Sequence, residues 1–246
     1  MPSETWTATR YRRRDEPAYP HQPNSAFQKQ WQPDVYIGAR ALAARLGAAR
    51  VVDIGCGNGA KLIELAADVP TIGIDFGANF DRARERAPGL DWRAHDLASA
   101  EPLPVSPEEL RGAVVINADV IEHLPDPSPL LGKLRWAHEH AQLVLVSTPE
   151  RHLTRGLRDG GPPSNPAHIQ EWTTREFGAL LRGAGMPIHS VGLIRSHDRS
   201  DRVATIFVAI AASHELLRTV DEVLIDLEVP AARAHPVVEV LLRPFR

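Results

Sequence analysis

A glycine-rich segment that follows an acidic residue is the part of this sequence that points most directly to chemistry. It reads Val51-Val52-Asp53-Ile54-Gly55-Cys56-Gly57-Asn58-Gly59 and leads from a β-branched run into a helical pattern. Glycine is needed where the backbone turns with positive φ or where a ligand must approach closely. In open α/β sheets such a turn lies at the carboxyl end of a strand, where ligands bind. We therefore predict a ligand-binding turn at Gly55, Gly57 and Gly59.

The glycine spacing and the charge of Asp53 indicate the kind of ligand. Dinucleotide-binding loops use G-x-G-x-x-G to hold a pyrophosphate at a helix N-terminus, whereas the spacing here is G-x-G-x-G. A carboxylate two positions before Gly55 would repel a pyrophosphate and would suit a ligand with an ammonium group and no phosphate. S-adenosylmethionine is such a ligand. The same features disfavour an NAD-dependent oxidoreductase.

Two further acidic residues follow the next predicted strands. Asp75 ends the second strand, 20 residues after Gly55, where a carboxylate can accept hydrogen bonds from both ribose hydroxyls, as it also does in NAD enzymes. Asp96 follows the third strand. Its carboxylate either accepts a hydrogen bond from the exocyclic amine of adenine or lies on a surface loop. Cys56, inside the glycine turn, is predicted to be a buried and inert thiol.

Two histidines are candidates for a general base, because imidazole takes up protons near neutral pH. His123 follows Asp119 and Glu122 beyond the fourth predicted strand, and it either acts as the base or orients the turn at residues 117–124. His168 lies in a Pro/Gly-rich loop at residues 160–172, a kind of loop that often covers a site. Its alternative role is a hydrogen bond at a helix entry.

Metal binding has weak support in the sequence. Asp119, Glu122 and Asp126 could hold a divalent ion, but three acids on one loop are common by chance, and the histidines do not fall at zinc-ligand spacing. We expect no obligatory metal.

Strands and helices alternate along the chain, which predicts a doubly wound, mostly parallel α/β sheet. The nearly pure apolar strands fit burial on both faces, and a short turn joins the last two strands as an antiparallel hairpin. The seven predicted strands are residues 50–54, 71–74, 90–93, 113–117, 143–147, 188–194 and 203–211, and the predicted helices are residues 31–46, 60–67, 79–87, 129–140, 173–183 and 213–227.

Three segments follow from this order of elements. Residues 1–30 form an N-terminal arm, either solvated or folded over a ligand as a flap. Residues 31–212 form the α/β domain, with a lid loop at about residues 150–172. Residues 213–246 form a helical extension whose apolar stripe packs on the domain or serves a dimer contact, so a monomer and a homodimer are both open.

Composition excludes several classes of protein. An apolar fraction of 43% and a charged fraction of 24% are those of a soluble globular chain. A net charge of -3 and the absence of a basic stripe argue against nucleic-acid and membrane partners. One cysteine excludes an internal disulfide, and no apolar run has the length of a signal peptide or a membrane span. We expect a cytoplasmic protein with a small-molecule substrate.

These motifs resemble those of the class I methyltransferases. Val51–Gly59 is similar to their nucleotide-binding motif, Asp75 to their ribose acid, Asp96 to their adenine-contacting acid, and the segment VINADVIEHLPDP to the one after their fourth strand. The resemblance implies S-adenosylmethionine as cofactor and S-adenosylhomocysteine as product. It implies a cofactor site formed by Asp53, Gly55, Cys56, Gly57, Gly59, Lys61, Asp75, Phe76, Asp96, Leu97, Asn117, Ala118 and Asp119, with His123 and His168 as catalytic candidates.

The resemblance extends to a bacterial subgroup that acts in sugar, polysaccharide and natural-product pathways. Its marks are the Trp31-Gln32 segment, Lys61 after the glycine turn, and the segment GPPSNPAHIQEW, in which the subgroup usually has Arg in place of Gln170. The expected activity is methylation of a hydroxyl on a small molecule. A small-molecule N-methyltransferase and a catalytically inactive cofactor-binding module are the alternatives.

Overall fold

The fold is built on one seven-stranded sheet. The computed structural model describes residues 11–16, 31–157, 159–188, 190–197, 200–211, 216, 219–220 and 222–223. The strands are β1 Arg50–Ile54, β2 Thr71–Asp75, β3 Asp91–Ala94, β4 Ala113–Ala118, β5 Leu143–Pro149, β6 Ser190–His197 and β7 Ser200–Ala211. Their order in the sheet is β3-β2-β1-β4-β5-β7-β6.

Strands β1 to β5 pair in parallel, and β7 runs antiparallel to both β5 and β6. The predicted fold class, a mostly parallel sheet with a C-terminal antiparallel hairpin, is therefore confirmed. All six residues of β4 are buried, as expected for a central parallel strand with both faces covered.

Helices cover both faces of this sheet. They are α1 Pro33–Leu46, α2 Ala60–Leu65, α3 Gly77–Arg86, α4 Pro107–Leu110, α5 Ser128–His140, α6 Arg151–Arg155 and α7 Thr174–Gly183. One core packs apolar side chains of α4, α5 and α7 against the sheet, and a second core packs those of α1 and α2. Within the described residues, no helix is long and apolar enough to cross a membrane.

Two short helices, α4 and α6, escape prediction because four or five residues are too few to show helical periodicity. Each begins at a side-chain cap: Ser106 accepts a hydrogen bond from the Glu109 amide, and Glu150 accepts one from the Leu153 amide. α1 begins at Pro33 and not at Trp31, because proline fits the first helical turn and the preceding Gln32 has a φ of 48°.

Several strands extend further than their apolar runs predict. β5 continues to Pro149 because its backbone pairs with β7 as far as Thr205, and this extension carries Thr148, next to Ser147, to the edge of the sheet where the site lies. Backbone pairing fixes the ends of a strand, and a partner distant in sequence leaves no mark on the local pattern.

The terminal segments lie mostly outside the described residues, namely residues 1–10, 17–30 and most of 213–246. Within the predicted C-terminal helix, residues 216, 219–220 and 222–223 are helical. Val220 and Val223 are buried in the same core as α1, so this part of the helix packs on the domain.

Candidate functional site

A cavity of about 1200 Å³ opens at the carboxyl edge of the parallel strands. This is the edge at which doubly wound sheets bind ligands, beside the point where the strand order reverses between β1 and β4. Most of the residues predicted for the site meet here. They are Gly55, Cys56, Gly57, Lys61, Asp75, Phe76, Leu97, Ala118, Asp119, His123 and His168.

The glycine turn forms one wall of the cavity. Gly55, Gly57 and Gly59 have φ values of 90°, 58° and 72°. Residues other than glycine rarely adopt this backbone conformation. A Cβ atom on Gly55 would lie 2.4 Å from the side chain of Val120, and one on Gly59 would lie 2.5 Å from Trp92. Gly55 and Gly57 line the cavity, whereas Gly59 packs behind it and begins α2.

Asp53 lies beneath the cavity, not on its wall. The side chain is fully buried, and the Tyr36 hydroxyl donates a 2.8 Å hydrogen bond to Oδ2. Oδ1 has no donor among the described residues. Burial raises the pKa of Asp53 to about 7, although the Tyr36 hydrogen bond and the Lys61 ammonium oppose the shift. Lys61 donates to the Trp31 carbonyl at 3.1 Å, and burial lowers its pKa.

Asp75 presents its carboxylate to the cavity from the end of β2. One oxygen accepts the Gly57 amide at 2.7 Å and the other accepts the Phe76 amide at 2.8 Å. Because each carboxylate oxygen has two lone pairs, both oxygens keep acceptor capacity for a ligand. Burial raises the pKa of Asp75 to about 6, although these two amides and the Asn79 side chain oppose the shift.

Two of the predicted cofactor residues, Asp96 and Asn117, do not line the cavity and instead form hydrogen bonds within the protein. Asp96 is exposed, and its carboxylate accepts the Ala98 amide at 2.9 Å. The next residue, Leu97, lines the cavity in its place. Asn117 is fully buried and donates to the Ile54 carbonyl at 2.6 Å, which ties the end of β4 to the end of β1.

Two carboxylates and two imidazoles form the second part of the site, the histidine end, and three of them, Asp119, His123 and His168, line the cavity. One ligand-type atom from each of Asp119, Glu122, His123 and His168 lies within 4.8 Å of those of the others. Asp119 follows β4 with a φ of 60°, and Glu122 and His123 lie in the 3₁₀ turn Ile121–His123. His168 lies in the lid loop. The Ile169 amide of this loop donates a 2.7 Å hydrogen bond to the Glu122 carbonyl.

The two carboxylates of this cluster are held by β5 and by the residue before α1. Gln32 donates to Asp119 Oδ1 at 2.6 Å and accepts the Ser147 hydroxyl at 2.6 Å. The Thr148 hydroxyl donates to Glu122 Oε2 at 3.1 Å. Burial, and then the neighbouring Asp119 carboxylate, raises the pKa of Glu122 well above its ordinary value.

Both imidazoles have their Nδ1 atoms bound to acceptors. His123 Nδ1 lies 3.0 Å from the Ala167 carbonyl oxygen, and His168 Nδ1 lies 2.8 Å from Glu171 Oε1. Since neither partner can donate, each Nδ1 carries the proton and each neutral ring has its lone pair on Nε2. His168 Nε2 lies 2.9 Å from Asn165 Nδ2, and the two rings meet edge to face at 4.8 Å.

The lid loop also contacts the described part of the N-terminal arm. The Glu171 amide donates to the Tyr11 hydroxyl at 2.8 Å, and the Arg12 amide donates to the Gly160 carbonyl at 3.0 Å. The Arg151 guanidinium lies 4.1 Å from the centre of the Tyr11 ring. Residues 11–16 therefore lie against the loop that brings His168 to the cavity.

Two other acids lie outside the cluster. Asp126 is exposed and accepts the Ser128 amide at 2.9 Å. Glu150 caps α6 and also accepts the Thr174 amide at 3.0 Å. The loop sequence groups Asp126 with Asp119 and Glu122, whereas the fold leaves Asp126 outside. The supporting contacts of the cluster were not predicted; they come from Gln32, Ser147, Thr148, Asn165 and Glu171. A Trp-Gln segment before α1 was the one available signal, because the remaining contacts join residues far apart in the chain.

Comparison with known proteins identifies the family. The methyltransferase domain family matches residues 27–191, more than half of the 246 residues. The chain therefore belongs to this family, and its 3-2-1-4-5-7-6 sheet is the fold of the class I, S-adenosylmethionine-dependent methyltransferases.

One curated relative and two solved structures illustrate the match. A probable S-adenosylmethionine-dependent methyltransferase from Mycolicibacterium smegmatis is 33% identical over 169 residues, which cover 68% of this chain and 63% of the relative. The chain thus spans less than two thirds of that relative's length.

The structural likeness concerns the fold alone. The methyltransferase domain of bacterial CtHen1-CN is 21% identical, with a TM-score of 0.53 over 72% of this chain and 97% of that one. The O-methyltransferase NcsB1 from neocarzinostatin biosynthesis, solved with S-adenosylmethionine and 2-hydroxy-5-methyl naphthoic acid, is 17% identical. Its TM-score is 0.53 over 72% of this chain and 53% of that one.

Proposed function

We propose that this methyltransferase acts on a hydroxyl group of a small molecule, either a sugar or a natural-product scaffold. The observation that carries the proposal is a single cavity with two chemically different ends. One end has the glycine turn and Asp75, which suit a nucleoside. The other has Asp119, His123 and His168, which are acceptors suited to holding a hydroxyl and taking its proton.

The glycine-turn end fits the cofactor of the family. Asp75 offers two carboxylate oxygens already oriented by backbone amides, which suits the two hydroxyls of a ribose. Leu97 offers an apolar surface for the adenine, while Asp96 remains bound to its own loop. Asp53 acts on the cofactor through its charge and not by contact, because it lies below the cavity floor. When bound, S-adenosylmethionine supplies a methyl group activated by a positive sulfur.

The histidine end supplies positioning and proton transfer. An in-line methyl transfer needs the nucleophile held close and aligned, which can account for much of the rate enhancement. His123 is the first candidate for the base and His168 the second. Glu171 lies 2.8 Å from His168 Nδ1 and holds that ring in place, as the carboxylate of a catalytic triad does.

The dimensions of the cavity support a small acceptor. A volume of about 1200 Å³ holds the cofactor with room for a compact second molecule. Trp31 and His197 stack edge to face at 4.8 Å on the cavity wall, and such an aromatic surface suits the apolar face of a sugar or a fused ring. A net charge of -3 offers no attraction to nucleic acid.

The first test is calorimetric titration with S-adenosylhomocysteine, with NADH as the parallel control. We expect binding of the first and none of the second. The acceptor is then sought by following S-adenosylhomocysteine formation with matched pairs of acceptors, in which an amine replaces one hydroxyl of a sugar or a phenol.

Methylation of the hydroxyl member of a pair supports the proposal. Methylation of the amine alone favours an N-methyltransferase, the second candidate, because an amine needs positioning more than it needs a base. Cofactor binding without turnover on any acceptor favours an inactive cofactor-binding module.

A further inference from the structure

The spacing of the four-residue cluster at the histidine end matches that of a metal site. One ligand-type atom from each of Asp119, Glu122, His123 and His168 lies within 4.8 Å of the other three. Ligand atoms at about 2.0–2.2 Å from one ion lie about 3.3–3.6 Å apart in a tetrahedral site, and no two can lie more than about 4.4 Å apart. Side-chain movements of about 1 Å would bring all four onto a single ion.

Glu122 provides an independent indication of a ligand. Its side chain is fully buried, yet Oε1 has no hydrogen-bond donor among the described residues. Its carboxyl group is also hydrogen-bonded to that of Asp119, so the pair holds a shared proton in the absence of a cation. A buried carboxyl oxygen without a donor is costly, and two carboxylates in contact repel each other once that proton is lost. A cation in place of the proton would satisfy the oxygen and remove the repulsion.

The surroundings of the cluster orient its side chains as second-sphere partners do in metalloproteins. Metal-bound histidines almost always donate their other ring N–H to a carboxylate or a backbone carbonyl. His168 Nδ1 does so to Glu171 and His123 Nδ1 to the Ala167 carbonyl. On metal binding, His168 Nε2 would exchange its Asn165 contact for the ion.

We propose that Asp119, Glu122, His123 and His168 form a binding site for one divalent cation at the acceptor end of the cavity. Two carboxylates with two imidazoles suit Mn²⁺, Co²⁺, Fe²⁺ or Zn²⁺ better than an all-oxygen site would. Such a site differs from the sequence-based expectation that the protein has no obligatory metal. The sequence pattern places three acids on one loop, and only the fold brings His168 to two of them and leaves Asp126 outside.

The role of the cation rests on the proposed function. A divalent ion at this position would bind the acceptor hydroxyl and lower its pKa, so the hydroxyl would lose its proton more readily near neutral pH. With their Nε2 lone pairs on the ion, His123 and His168 would then act as ligands and not as the base. It would also hold that oxygen at a fixed point of the cavity.

The test is Mn²⁺ binding to the full chain after dialysis against a chelator, with free Mn²⁺ measured by electron paramagnetic resonance. We expect one Mn²⁺ per chain, displaced by Zn²⁺. Glu122→Gln and His168→Gln each change one ligand with little change of volume. Each should weaken Mn²⁺ binding by about 10-fold or more. Asp126→Asn, on the same loop and outside the cluster, should bind Mn²⁺ as the unaltered chain does.

Failure to bind Mn²⁺, Co²⁺ or Zn²⁺ in the unaltered chain would overturn the proposal and leave a proton shared by the two carboxylates. Binding that survives both ligand substitutions would also overturn it. Circular dichroism shows whether each variant has folded, and the unaltered chain decides the question even if one has not. S-adenosylhomocysteine binding is measured separately, so a chain that binds metal but no cofactor contradicts the proposed function and not the cation site.

Discussion

Replacing Asp75 with asparagine tests the cofactor half of the site through its dependence on pH. Burial raises the pKa of Asp75 to about 6 from an ordinary value of 3.8, so ionisation in the folded protein costs about 3 kcal/mol more than in water. The ribose hydroxyls donate hydrogen bonds, and they therefore favour the ionised carboxylate. Cofactor affinity should be highest above about pH 7, should be about half of that value at pH 6, and should decline further as the pH falls.

The size of both effects follows from these values. At pH 5 about one chain in ten carries the ionised carboxylate, so the affinity for S-adenosylhomocysteine should be about tenfold lower than at pH 8. Asp75→Asn replaces charged acceptors with an amide, a change that costs about 1.5–3 kcal/mol, or about 10- to 100-fold in Kd at pH 8. The variant should also lose the part of the pH dependence that comes from Asp75.

The assay is calorimetric titration with S-adenosylhomocysteine at pH 5, 6, 7 and 8. Asp81→Asn, which changes an exposed acid of α3, is the matched control and should follow the unaltered chain throughout. Asp53 also titrates in this range, so the difference between the unaltered chain and Asp75→Asn isolates Asp75. Unchanged affinity of Asp75→Asn at pH 8, or an unchanged pH profile, would refute the assignment of Asp75 to the ribose.

Three further predictions concern catalysis and stability. His123→Ala should lower turnover by about 100-fold or more, the typical contribution of a general base, and leave the Kd of S-adenosylhomocysteine nearly unchanged. Gly73→Ala should lower the free energy of unfolding in urea by about 1–3 kcal/mol, because the new Cβ would lie 2.3 Å from a tryptophan ring carbon. Tyr36→Phe should lower it by about 1–3 kcal/mol at pH 8 and by less at pH 5, where Asp53 is protonated.

Each of these predictions has its own contrary outcome. Retained turnover in His123→Ala would mean that the base lies elsewhere or that none is needed. Gly132→Ala, within α5 and with nothing near its new Cβ, is the control for Gly73 and should stabilise the chain by about 0.5–1 kcal/mol. The sign for Tyr36 follows from linkage. The folded-state pKa of Asp53 lies above its unfolded value, so the ionisation of Asp53 destabilises the fold as the pH rises towards 7. The Tyr36 hydrogen bond stabilises the ionised carboxylate and therefore contributes most at pH 8. An equal loss of unfolding free energy in Tyr36→Phe at pH 5 and pH 8 would contradict this expectation.

Local patterns were sufficient to predict the glycine turn and the acid that ends β2. Gly55 and Asp75 lie at the ends of apolar strands, and the direction of a parallel strand determines which edge of the sheet its carboxyl end reaches. The alternation of apolar strands with helices likewise predicts the fold class. Asp96 shows the limit of this approach, because its position after β3 matches the motif while its carboxylate turns back to the Ala98 amide.

The sequence by itself determined the family, the order of the strands along the chain, and the glycine turn and Asp75 that line the cavity, because these depend on periodicity and short spacing. The tertiary structure decided which side chains meet at the acceptor end. His168 joins Asp119 and Glu122 because backbone hydrogen bonds tie its loop to the turn after β4. Gln32 reaches the same cluster from the residue before α1. Such contacts depend on how distant segments pack, and no local sequence pattern encodes that packing.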